Sequence, residues 1–165
     1  MAGRSSGPVI VIRGDPAGLE RTRGRIVLGA GKPGTSGAAM RFAFREAEAR
    51  HCALDVVRAW RRPAHEPGEH PLLSGSRDLY YEERASILID ALLQDSAPES
   101  PGVRVNRYPV EGLACKVLVS RSAAADLLII GVRRRRGHVG LQLGTAAHVV
   151  LHHAQCPVAV VPELP

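Results

Sequence analysis

"DLLIIGVRRRRGHVGLQLGT", residues 126–145, places an unbroken apolar run directly before a basic loop framed by glycines. The run 127–130 has no polar residue to mark a solvent face, so it reads as a strand buried on both sides. Such strands belong to parallel sheets covered by helices on each face. The next segment, "TAAHVVLHHA" (145–154), has helical character. A strand, a glycine loop and a helix in succession can hold an anion. Glycines let backbone N–H groups approach phosphate oxygens closely. The helix start adds unpaired N–H donors and the positive end of its dipole. Thr145 supplies a hydroxyl donor. A turn that merely connects strand to helix uses the same residues, and the spacing alone leaves both readings open.

The rest of the chain repeats this alternation. "RIVLGA" (25–30), "ALDVVRAW" (53–60), "VRVNRYPV" (103–110) and "CPVAVV" (156–161) read as strands. "GAAMRFAFREAEARH" (37–51), with Ser36 as its predicted N-cap, is an amphipathic helix carrying Met40, Ala43, Phe44 and Ala47 on one face. "DLYYEERASILIDALLQD" (78–95) and "EGLACKVLVSRSAA" (111–124) read as further helices. The long Pro/Gly-rich stretch 61–77 reads as a loop or lid, or as a disordered segment. The predicted fold is α/β: a doubly wound five-stranded parallel sheet with helices on both faces, plus an extra N-terminal strand. In such sheets ligands sit beyond the carboxyl ends of the strands, where the strand order reverses. The loops after "RIVLGA" and "DLLIIG" are the candidates, which brings Gly29, Ala30 and Gly131 to the site.

The extra strand comes from "GPVIVIRGDP" (7–16), which resembles the chain's own ending, "CPVAVVPELP" (156–165). The expected organisation is residues 1–16 as the last strand of a preceding repeat, 17–24 as linker and 25–165 as the main domain, as in a piece of a tandem protein. Chance likeness between two β-rich termini is the alternative.

Composition narrows the class. At 165 residues, with 45% hydrophobic and 23% charged residues, the chain suits one globular domain. Its three cysteines lack metal or disulfide spacing, so reduced thiols in a cytoplasmic protein are expected. The opening apolar run is too short for a signal sequence or membrane span. The net charge of +6 favours polyanions at low salt. However, no aromatics interleave with Arg133–Arg136 and no nucleic-acid-binding motif is present, so solvated loop charge is favoured over nucleic-acid contact. His152 and His153, adjacent on a helix end, point to different faces and fit dipole complementation better than a metal site. No catalytic constellation is formed; "GTSG" (34–37) is not a nucleophile elbow.

On the residues "ADLLIIGVRRRRGHVGLQLGTAAHVVLHHAQCPVAVVP", and across about 24–162, the chain resembles the universal stress protein family. That family's nucleotide signature is glycine, two residues, glycine, nine residues, glycine, then serine or threonine. Gly131, Gly144 and Thr145 match it, while Arg134 stands at the second glycine. The resemblance implies a module that binds ATP, with Mg2+ accompanying the ATP, rather than a turnover enzyme. It implies phosphate or ribose contacts from Gly131, Gly144 and Thr145, cationic contacts from Arg133 and Arg134, and Val57 at a position that can face adenine. It also implies a homodimer, through the last strand or here the N-terminal one. Three departures weigh against ATP: Gly31 replaces an aspartate after the first strand, Arg134 replaces glycine, and Ala147 replaces a hydroxyl residue. The alternative is a non-nucleotide interaction protein acting through dimerisation and partner docking.

Overall fold

The computed structural model describes residues 7–12, 23–31, 36–62, 74–94, 101–133 and 143–163, with side chains in the stretch 74–94 described from Asp78 onward. In chain order the elements are β1 (Val9–Val11), β2 (Arg25–Gly29), α1 (Gly37–Ala49), β3 (Ala53–Trp60), α2 (Ser74–Gln94), β4 (Val105–Glu111), α3 (Ala114–Ser122), β5 (Leu127–Arg133), α4 (Thr145–His153) and β6 (Val158–Glu163). The six strands form one sheet in the order β1-β6-β5-β2-β3-β4. Strands β2 to β6 are mutually parallel, and β1 lies antiparallel on β6. The chain moves outward from β2 through β3 to β4, then returns to add β5 and β6 on the other side of β2. The switch in direction falls between β2 and β5.

Strand alternation divides the core into two layers. Leu28, Leu54, Val56, Ile129 and Ala159 pack toward α1 and α2, against Met40, Phe44 and Ile89. Val27, Val57, Leu128, Ile130 and Val160 pack toward α3 and α4, against Leu118 and Val150. This explains why β2 and β5 show no polar alternation: both faces are covered. Among the described residues no helix is long and apolar enough to cross a membrane.

The helix ends hold two surprises for sequence reading. Ser36 precedes α1 as expected, but its hydroxyl makes no bond to the helix. It turns back instead to accept from the Gly31 N–H at 2.8 Å. At the other end, His51 takes a left-handed conformation with φ 51°. The Cys52 N–H then reaches the Ala47 carbonyl at 3.0 Å, closing the helix in a motif that usually employs glycine.

Cys156, just before β6, is buried, and burial pushes its thiol up to about 11. The protonated form is therefore favoured by folding. The stability this contributes is complete below the unfolded value of 9.0 and declines as pH rises toward 11. Denaturation midpoints measured at about pH 8 and about pH 10.5 are expected to fall less in Cys156→Ala than in the parent. Equal losses in the two proteins would overturn that assignment.

Candidate functional site

A cleft of about 240 Å³ opens at the switch point, at the carboxyl ends of β2, β3 and β5. Its floor is Gly29, Ala30, Val57 and Ala59, with Ile130 and Gly131 from β5. Its walls are Ala114 and Leu118 of α3 and the first turn of α4, through Ala146 and Ala147. A larger hollow of about 590 Å³ lies at the opposite end of the sheet, between Gly24, His51, Cys52 and Arg104. That end carries the amino ends of the strands, so the switch-point cleft is the better candidate despite its smaller volume.

The cleft owes its depth to small residues. A Cβ on Gly29 would stand 2.9 Å from Leu118 Cδ1, so a side chain there would push Leu118 aside, into the room the cleft uses. Ala59, Ala114, Ala146 and Ala147 keep the remaining surface low. The result is an apolar slot, suited to a flat ring rather than to a charged group.

Among the described helix starts at this end of the sheet, those of α1 and α4 differ in how they are filled. At α3, whose first residue Ala114 lines the cleft, the N-cap Leu113 makes no side-chain bond. At α1, the Glu163 carboxylate from the end of β6 accepts from the Ala38 N–H at 2.9 Å and the Ala39 N–H at 3.2 Å. Glu163 is 9% exposed, so the positive end of α1 is already occupied by the chain's own anion. At α4, Gly144 is the N-cap and makes no side-chain cap bond. Its carbonyl accepts from His148 N–H at 3.0 Å, which begins the helix and leaves the earlier N–H groups outside the helical ladder. A Cβ on Gly144 would meet nothing within 4 Å, so packing does not require glycine there.

Arg58 is the cleft residue that sequence reading missed. Its guanidinium crosses the end of β2, donating to the Ala30 carbonyl at 2.9 Å and to the Gly31 carbonyl. Burial lowers its pKa from the usual value, yet a guanidinium remains charged at any physiological pH. A cation thus stands beside the position where the family resemblance led us to expect a carboxylate. Only the position of Arg58 in "VVRAW", a charge among apolar residues near the end of its strand, hinted at a role.

The remaining expected site residues divide as follows. Gly29, Ala30, Val57 and Gly131 line the cleft. Gly144 and Thr145 are exposed beside it, at the start of α4. Arg133 is not in the lining: it is exposed at the end of β5, in register with Glu163. Alternation places it on the α1 side of the sheet, opposite the cleft walls. Arg134 lies outside the described residues, as does Lys32.

Comparison with known proteins agrees with this architecture. The sequence profile of the universal stress protein family matches residues 22–162. Universal stress protein Rv2005c of Mycobacterium tuberculosis is 32% identical over 158 residues, covering 95% of this chain and 52% of that protein. Among solved structures, universal stress protein UspA from Lactobacillus plantarum superposes with a TM-score of 0.64 at 17% identity, covering 86% of this chain and 99% of that one. A universal stress family protein from Arabidopsis thaliana, solved with AMP bound, superposes at 0.53 with 15% identity, over 87% and 93% of the two chains. The fold is thus that of a parallel α/β module with its cleft at the switch point, and the chain belongs to the universal stress protein family. It spans about half the length of the curated relatives it matches.

Proposed function

We propose that the switch-point cleft binds an adenine nucleotide without efficient turnover. The observation that carries this reading is the uncapped start of α4 at the mouth of an apolar slot. A slot of about 240 Å³ is smaller than the roughly 300–1,000 Å³ of drug-sized pockets. It therefore takes the base and part of the sugar, against Val57 and Ala59, and leaves phosphate outside. The donors assigned to that phosphate are the N–H groups at Gly144–Ala146 and the Thr145 hydroxyl, at a helix start whose N-cap makes no side-chain bond. Glu163 closes the alternative at α1. Among the described residues no carboxylate lines the slot, so Mg2+ would arrive on the polyphosphate of ATP rather than on a protein ligand. The AMP-bound Arabidopsis relative supports the ligand class.

Gly144→Val tests the assignment. Open space around Gly144 means that the substitution costs no more than the loss of a favoured N-cap residue, about 1 kcal/mol, and leaves the domain folded. The added side chain would cover the α4 donors, and calorimetry should find ATP and AMP bound about tenfold more weakly, about 1.4 kcal/mol. Absence of heat with either nucleotide at millimolar concentration would remove the proposal. It would favour the second reading, a domain that works by docking partners. Arg58 gives that reading its footing, because its guanidinium is already engaged with the carbonyls at the ribose end of the slot.

A further inference from the structure

A further cavity, of about 280 Å³, lies between the end of β3 and α2, on the opposite face of the sheet from α3 and α4. Strand alternation carries Arg58 and Trp60 to the same face as Val56, the face that α2 covers. Tyr81, Arg84 and Leu88 are spaced three and four positions apart on α2, so they form one stripe of that helix. Arg61, directly after β3, brings a third guanidinium to the lining.

The lining is cationic and aromatic at once. Among the described residues no carboxylate borders it. Glu111, in register with Trp60 on β4, is outside the lining, and Asp78 pairs with Arg62 at 2.7 Å. Arg58 uses Nη1 on the Ala30 and Gly31 carbonyls, and Arg84 uses Nη1 on the Tyr80 hydroxyl at 3.4 Å. A guanidinium carries five N–H groups, so both retain donors. Trp60 Nε1 is buried and has no acceptor. A buried donor in that state is costly and calls for a partner from outside the chain. The Trp60 and Tyr81 rings are near-parallel, at 17°, with centroids 6.2 Å apart. Two stacking separations of about 3.5 Å exceed that gap, so a third ring lies against the pair rather than between its members.

We propose that this cavity is a second ligand site, for a small aromatic carboxylate. The ring rests on the wall made by Trp60 and Tyr81, where aromatic groups pack favourably. The carboxylate accepts from the guanidinium groups and supplies the acceptor that Trp60 Nε1 lacks. The volume falls just below the roughly 300 Å³ at which drug-sized pockets begin, which suits one ring with its carboxylate rather than a whole nucleotide. The site shares Arg58 and Ala59 with the switch-point cleft but lies across the sheet from it, and does not depend on nucleotide binding there.

Trp60 is the chain's only tryptophan, so its fluorescence reports on the site directly. Benzoate, titrated at constant ionic strength, should change that emission saturably, with half-saturation below about 1 mM. Benzamide has the ring without the charge, and acetate the charge without the ring; each should bind at least about tenfold more weakly. Arg61→Gln combined with Arg84→Gln, both at exposed positions, should weaken benzoate about tenfold and leave the circular dichroism unchanged. Trp60→Phe keeps a ring and removes the N–H, and calorimetry should find benzoate bound about tenfold more weakly. No saturable change with benzoate up to about 10 mM overturns the proposal. So does equal binding of benzamide or acetate, or an unchanged benzoate affinity in the double arginine variant or in Trp60→Phe.

Discussion

Arg25→Met is expected to destabilise the domain by about 3–5 kcal/mol, the loss typical of a buried ion pair deprived of one partner. Asp55 lies within β3 with 1% exposure, between the buried neighbours Leu54, Val56 and Val57. Its carboxylate accepts from Arg25 Nη1 at 3.1 Å and from Asn106 Nδ2 at 2.7 Å. Arg25, on β2, is partly exposed and can return to water when the pair is broken; Asp55 cannot. Methionine keeps most of the aliphatic stem, so the loss reports on the charge rather than on packing. Adding Asp55→Asn to Arg25→Met removes the stranded charge and should restore more than half of the loss. Urea denaturation of the two single variants and the double variant measures the coupling. A loss below about 1 kcal/mol in Arg25→Met would mean that Asn106 alone satisfies the carboxylate.

Glu163→Ala should cost about 2–3 kcal/mol, because the two N–H groups at the start of α1 lose a charged acceptor. The change also uncovers a helix N-terminus that the native chain keeps filled. Sulfate should therefore raise the melting temperature of Glu163→Ala more than that of the parent. Glu163→Gln keeps an acceptor without the charge and should fall between the two. If sulfate affects all three proteins equally, the carboxylate is not what closes that end of α1. This result bears on function, since it separates the filled N-terminus of α1 from the open one of α4.

Much of the fold was legible in the sequence because local periodicity carries it. The stretches 26–28 and 127–130 are apolar on both faces, and a strand with no polar face must lie inside a covered sheet. The placement of Gly29, Ala30 and Gly131 around one cleft followed from the same reasoning, since doubly wound sheets converge on their switch point, whereas Val57 was assigned there only by the family resemblance. Boundaries were less legible. The helix expected to begin at 78 begins at Ser74, and the strand expected to end at 131 runs to Arg133. Polar residues at element ends satisfy either state equally well, so the pattern has nothing to distinguish there.

The sequence by itself determined the order and type of the elements, the two-faced burial of the sheet and the likeness of its first and last strands. These depend on side-chain pattern within a few residues. Tertiary structure alone decided which groups meet across long stretches of chain. Glu163 reaches the start of a helix 125 positions earlier. Ser36 turns from its own helix to Gly31, and Arg58 spans the end of the neighbouring strand. Periodicity tells a side chain which face it occupies, but not which donor or acceptor the folded chain will set before it. For the glycine loop that begins at Gly131, that meant the start of α4 could be identified as a helix end from sequence, but its contrast with the Glu163-filled start of α1 only from the fold.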